Sequence, residues 1–508
     1  MNALGQMVLF SWFVLGTGVV GVFKSMFGGP WGVVLSLLLG WMLLPMGEVD
    51  LPGLPPVNKN TVTAGAALLG VVIFDASALG RFKPRLIDLP MAVWCVVPIL
   101  STFANGPMDS GPPAPPWAPG QNLEAYDAVA LFFTHSVTWG VPWVLGRIYL
   151  QGVDAHRVLL LSMFFMGLFY MPLVWVEMKM SPQWHNWLYG VHAHPDFSQT
   201  MRYGFWRPNV FMQHGLMVAF FMTSTFLAGY AAWKMHLLKK IKGIPSWGPL
   251  SVLGATAVLC MSMGAWIQLV VGVFMIEAVK RFRMPMLLAV LALMPPAYLT
   301  ARIGLGMSAD SIQETVARVN EDRAESVGVR FTNEDWIMEH ALERPLLGWA
   351  GWGRERIYDR NGKMIGITDG LWTIAISRYG LIGLVSLYAW LILPAVLALR
   401  KLPTTSALAP FAGTIAVALI VLQLAIDTIP NAMTGPVYVA AAGGLAGLAS
   451  IRGRVRSPED LLALARRRTS PGPAGEPGPG GPTYEPDEPD RHPSRSRARP
   501  SSRPSPFR

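Results

Sequence analysis

The chain has 508 residues, of which 52% are hydrophobic and 14% charged, with a net charge of +10. A soluble domain carries roughly 25% charged residues, so a soluble fold is excluded and long apolar runs set the class. The positive balance does not indicate nucleic acid, because Lys and Arg in short loops beside apolar spans set topology and meet anionic lipid.

A membrane span needs about 20 apolar residues. The sequence offers about thirteen candidates by that measure. They centre near Phe13, Leu38, Leu69, Val97, Thr138, Gly167, Phe220, Val258, Gly272, Ala289, Val385, Leu419 and Ala441. Tight spacing at Phe13/Leu38 and Val258/Gly272 leaves a range of about 12–14 spans. No cation precedes the first run, and Lys24 follows it. A cleaved signal peptide wants a positive start, so this run reads as a retained helix with its N-terminus outside. Cationic loops then alternate along the chain: Arg81/Lys83/Arg85, Arg147/Arg157, Lys234/Lys239/Lys240/Lys242, Lys280/Arg281/Arg283 and Arg400/Lys401. The positive-inside rule makes these cytoplasmic and the C-terminus cytoplasmic. Cys95 and Cys260 each lie in an apolar run and read as buried thiols, not a disulfide or metal pair.

Three segments then fall outside. Gly106–Gln121 is rich in Pro and Gly and reads as an irregular loop. Met180–Pro208 carries His185, His192, His194, Arg202 and Arg207. Residues 301–367 form the longest loop, expected to fold as a small helical cap. The expected fold is all-α: a polytopic membrane bundle over residues 1–450 with this loop inside it, then a basic, Pro-rich tail over 451–508. Within the tail, Ser457–Arg468 reads as a short basic amphipathic helix on the inner leaflet. Thr469–Arg508 lacks the apolar residues for a core and reads as disordered.

No Gly-x-x-x-x-Gly-Lys-Ser/Thr occurs, so no P-loop nucleotide site is expected. There is no zinc-type Cys pair and no Gly-x-Ser-x-Gly. The Gly-rich run Gly348–Gly353 has no following Lys and reads as a tight turn whose rings pack at the membrane surface. His185, His192, His194 and Asp196 lack the spacing of a strong metal site. No metal and no cofactor is expected.

Candidate chemistry gathers at the outer ends of spans. Arg202 and Arg207 sit before Pro208-Asn209, where Pro suits a first helical turn. Guanidinium forks bind phosphate bidentately, a helix start adds positive potential, and snorkelling to headgroups is the bland alternative. His214 would lie a turn deeper, where a polar side chain is expensive. Glu177, near the outer end of its span, should be paired, with Lys179, Arg202 or Arg207 as partners. Arg330 leads into a helix containing Ile337, Ala341 and Leu342. Asp369 stands where an apolar helix begins, as an N-cap, a general base or both.

In this order the stretches resemble the O-antigen ligase and polysaccharide polymerase family of bacterial membrane proteins. The carrying residues are Arg202, Gly204, Phe205, Pro208 and Asn209; the turn Ser262–Trp266; Arg330, Trp336 and Pro345-Leu346-Leu347-Gly348-Trp349; and Tyr379-Gly380-Leu381-Ile382-Gly383. The likeness covers about Glu177 to Ala389. Thr368-Asp369-Gly370 stands where family ligases commonly have His-Asn, and Met263 where they have Arg.

The resemblance implies a C-type glycosyltransferase architecture in the bacterial inner membrane. It implies a polyprenyl-diphosphate-linked glycan donor and a glycan or lipid-linked sugar acceptor at the periplasmic face, in exopolysaccharide or O-antigen synthesis beside other polysaccharide-export proteins. Arg202, Arg207 and Arg330 would hold the diphosphate, with His214 and Glu177 nearby and Asp369 as base. The alternative is a transporter or flippase of lipid-linked oligosaccharide. It is disfavoured because few ionisable residues beyond Glu177, His214 and Asp427 lie in the spans. A pure scaffold does not explain the outward arginines.

Overall fold

A computed structural model describes residues 1–105, 123–194, 197–202, 204–307, 313–314, 317–318, 321–351, 353–359, 364–366, 369–404 and 408–451. The Pro/Gly-rich segment Gly106–Gln121, Asp196, Thr368, Ser457–Arg468 and Thr469–Arg508 lie outside the described residues.

In chain order the helices are α1 (Ala3–Phe27), α2 (Gly29–Leu43), α3 (Lys59–Arg81), α4 (Leu86–Asn105), α5 (Ala125–Tyr149), α6 (Val153–Met180), α7 (Trp184–Tyr189), α8 (Gly215–Lys234), α9 (Trp247–Leu259), α10 (Met263–Phe282), α11 (Pro285–Gly304), α12 (Glu321–Leu342), α13 (Leu371–Leu399), α14 (Ala409–Asp427) and α15 (Pro436–Ala449). Ten of them are long and apolar enough to cross a membrane, and α2, α9 and α15 are shorter apolar helices. Every expected span centre falls in one of these, and the chain is a multi-pass helical membrane bundle. The central members are α8 and α14, where 83% of the apolar window is buried inside the protein, against 28% for α1, α10 and α11. The outer helices therefore leave an apolar face for lipid. Close approach relies on small residues: a Cβ on Gly146 of α5 would meet the Ala440 carbonyl of α15 at 2.0 Å.

Acids secure the cationic end of the bundle. Asp75 pairs with Lys24 at 3.2 Å and Arg81 at 3.5 Å, and Asp88 pairs with buried Arg147 at 2.7 Å. Three short antiparallel hairpins join helices: β1–β2 (Glu48–Val49, Val57–Asn58), β3–β4 (Met201–Arg202, Phe205–Trp206) and β5–β6 (Lys240–Ile241, Ile244–Pro245).

The opposite end carries the cap. Its one long described helix is α12, whose Ile337 and Ala341 are buried. The cap is thus partly helical and otherwise irregular over its described residues. Helix α13 breaks at Gly380 (φ 61°, ψ −161°), a conformation essentially confined to glycine. The break frees backbone groups that apolar surroundings would penalise. The turn Pro345–Trp349 takes them up. Leu381 N donates to Pro345 O (2.7 Å) and Ile382 N to Leu346 O (3.3 Å), while Trp349 N donates to Ser377 O (2.8 Å) and Ala350 N to Arg378 O (2.9 Å). A Cβ on Gly380 would sit 2.3 Å from Leu346 C, and one on Gly348 2.6 Å from Arg378 C. The Gly348 turn is therefore a plug in a broken helix. The Trp349 ring stacks on His340 at 4.4 Å, with the Arg344 guanidinium 4.3 Å from its centroid.

Candidate functional site

The site is built on the irregular segment between β4 and α8. Pro208 does not open a helix. The chain turns at Asn209–Met212, where Val210 has φ 50° and Met212 N donates to Asn209 O at 2.9 Å, and the helix begins only at Gly215, with His214 as the N-cap, its Nδ1 accepting from Leu216 N at 3.0 Å. The segment is held by buried groups because its free N–H and C=O groups need partners. Glu177 (1% exposed) supplies most of them. Its Oε2 accepts from Asn209 N (2.8 Å) and Val210 N (2.6 Å), and its Oε1 from Trp184 N (2.9 Å). Tyr170 Oη accepts from Phe211 N at 3.1 Å, and buried Lys59 donates to Phe211 O at 2.6 Å. Glu177 therefore pairs with backbone amides. No salt bridge from it to Lys179, Arg202 or Arg207 occurs among the described residues. A carboxylate satisfied by three amides needs no cation.

Arg207 is 5% exposed and crosses to the turn before α10, where its Nη2 donates to Met261 O at 2.9 Å. Ser262 caps α10 by accepting from Ala265 N. Two of the sequence stretches, Arg202–Asn209 and Ser262–Trp266, thus meet through one arginine. Its stem lies on Gly215, where a Cβ would come within 2.2 Å of Arg207 Cγ. His214 is also buried, and its Nε2 lies 3.2 Å from Gln199 Oε1. Burial pushes its pKa down to about 3, helped by Arg207, His194, Arg202 and Arg330. Arg202 and Arg207 come from the one hairpin segment before α8, and Arg330 from the cap. Arg202 stands on the exposed β3 strand.

Asp369 precedes α13 but does not cap it. The N-cap is Gly370, and the Asp369 carboxylate pairs instead with Arg330 Nε at 3.5 Å, both side chains nearly half exposed. Burial raises the Asp369 pKa above its usual value and Arg330 opposes the rise. The pair lines a cavity of about 170 Å³ with Tyr298, Phe331, Glu334, Ile429 and Pro430. Sequence reasoning missed the second carboxylate here. Glu334 accepts from Tyr298 Oη (2.6 Å) and pairs with Arg302 (3.3 Å), which also pairs with Asp335 (2.8 Å). Arg302 is 1% exposed, so it reads as a fixed strut under the cap. Asp369 is the less restrained acid.

Arg207 and His214 thus sit together at the start of α8, with Arg202 on the adjoining hairpin, and Arg330 and Asp369 pair under the cap. Glu177 belongs to the first of these groups as a positioning residue. His185 is committed elsewhere: Nε2 accepts from Met46 N and Nδ1 donates to Val191 O, each at 2.6 Å. Among the described residues no group of His, Cys, Asp and Glu could hold a metal ion. Both cysteines are buried and unpaired. Chemically, the arrangement offers guanidinium donors and, at Asp369, an adjoining carboxylate. In comparisons with known proteins, no family model matches the chain and no curated protein matches it.

Proposed function

We propose that the protein is a glycosyltransferase of the polymerase or ligase type, moving a glycan from a polyprenyl diphosphate to a sugar hydroxyl at the membrane's outer face. The observation that carries this reading is the Arg330–Asp369 pair at 3.5 Å in a cavity under the cap, with Arg207 buried beside the His214–Gly215 helix start. Arginine forks suit a diphosphate. A leaving group that departs as a charged diphosphate is stabilised by donors already in place.

The acceptor hydroxyl oxygen attacks the anomeric carbon and the carbon–oxygen bond to the diphosphate breaks. The bonding pair leaves on the polyprenyl diphosphate, and Asp369 takes the hydroxyl proton. The donor's diphosphate competes for Arg330 and so releases Asp369 when the donor binds. The phosphoester linkage supplies the driving force, so no nucleotide site is required.

The test uses protein in liposomes with a labelled polyprenyl-diphosphate oligosaccharide, scored for released polyprenyl diphosphate and for transbilayer movement of intact lipid. Release with product formation, lost in Arg202→Ala and Asp369→Ala, supports the transferase. Movement without release moves the protein to the flippase class.

A further inference from the structure

A second cavity, of about 120 Å³, lies beside the first. The connection after α14 lines both: Ile429 and Pro430 the first, Ala432 and Thr434 the second, which Gln213 also lines. The floor contains Lys59, 3% exposed. Lys59 spends one N–H on Phe211 O and has no acidic partner among the described residues. A buried ammonium without a counter-charge is costly, and an anion brought beside it would supply the compensation. Around it stand Asn60, Thr138, Gln213 and Thr434, whose side chains make no hydrogen bond among the described residues. Two indoles, Trp41 and Trp139, complete the walls.

We infer that this cavity is a subsite for an acidic sugar, its carboxylate on Lys59, its hydroxyls on the Asn60, Thr138, Gln213 and Thr434 side chains, and its apolar edge against Trp41 and Trp139. One cation matches one negative charge. A phosphate dianion would leave charge uncompensated in a buried site. Large rigid amphipathic rings give contact area at little entropy cost. Taken with the reading above, on which the acceptor role alone rests, the acceptor is a uronate-bearing glycan.

The binding experiment needs no donor and scores no transfer, so it fails or succeeds apart from that reading. Full-length protein in nanodiscs is titrated with methyl glucuronide by calorimetry, with methyl glucoside and inorganic phosphate as competitors. The expected result is saturable glucuronide binding at least about tenfold tighter than glucoside. Lys59→Met lowers it by about tenfold or more. Thr138→Val and Thr434→Val, which keep Lys59 on Phe211, each lower it about threefold with melting unchanged. Equal binding of glucoside, displacement by equimolar phosphate, or no saturable binding overturns the inference. So does binding that survives both threonine variants but is lost in Arg330→Ala, which would place the ligand on the arginines.

Discussion

Glu177→Gln tests whether one buried carboxylate holds the arginine segment in place. The carboxylate accepts three backbone N–H bonds through two oxygens. Glutamine has one acceptor oxygen. Its better flip keeps Asn209 and Val210 and sets an NH₂ against the Trp184 N–H. One charge-assisted bond, worth about 1.5–3 kcal/mol, is lost and two become neutral. The sum is roughly 3–6 kcal/mol. For a body of this size, about 1–2 °C per kcal/mol gives a fall in Tm of roughly 3–12 °C. Because Asn209 lies two residues after Arg207, donor binding falls as well. The assay is thermal melting in detergent together with binding of a polyprenyl diphosphate. Lys179→Ala is the contrast and leaves both unchanged. Unchanged Tm and donor affinity in Glu177→Gln would refute the idea that this acid positions the site.

Gly380→Ala forces a side chain into a positive-φ break and against the Leu346 backbone; a loss of about 3 kcal/mol or more is expected, with the 345–350 turn opened to protease before global melting. Gly215→Ala displaces the Arg207 stem, so donor affinity drops about tenfold or more while acceptor binding holds, measured with each ligand alone. Asp369→Asn lowers transfer by roughly a hundredfold or more with donor affinity retained. The rate falls as pH drops through the Asp369 pKa, which burial raises. Arg330 opposes that rise, so Arg330→Ala moves the acid limb to higher pH. A limb that moves to lower pH, or does not move, contradicts Asp369 as the base.

Hydropathy alone located the spans, because twenty apolar residues without charge have one favourable environment. The alternation of cations marked which loops share an end, and the ion pairs at Asp75 and Asp88 close that end. The sequence also picked out Arg202, Arg207, Arg330, His214 and Asp369, since ionisable groups at span ends are expensive enough to stand out. It misjudged how they are held. Pro208 suits a helix start, but the bonds from Glu177, Tyr170 and Lys59 hold the backbone out of the helix until Gly215, and no local signal announces partners so far away in the chain. Asp favours an N-cap, yet Arg330 from the cap draws Asp369 aside. Nothing in the sequence singled out Lys59; packing buries it. The pairing of Pro345–Trp349 with the break at Gly380 was equally hidden, because two glycines make a contact only when the fold sets their backbones face to face. Composition and period decided the solvent and the spans; long-range backbone hydrogen bonding decided the site.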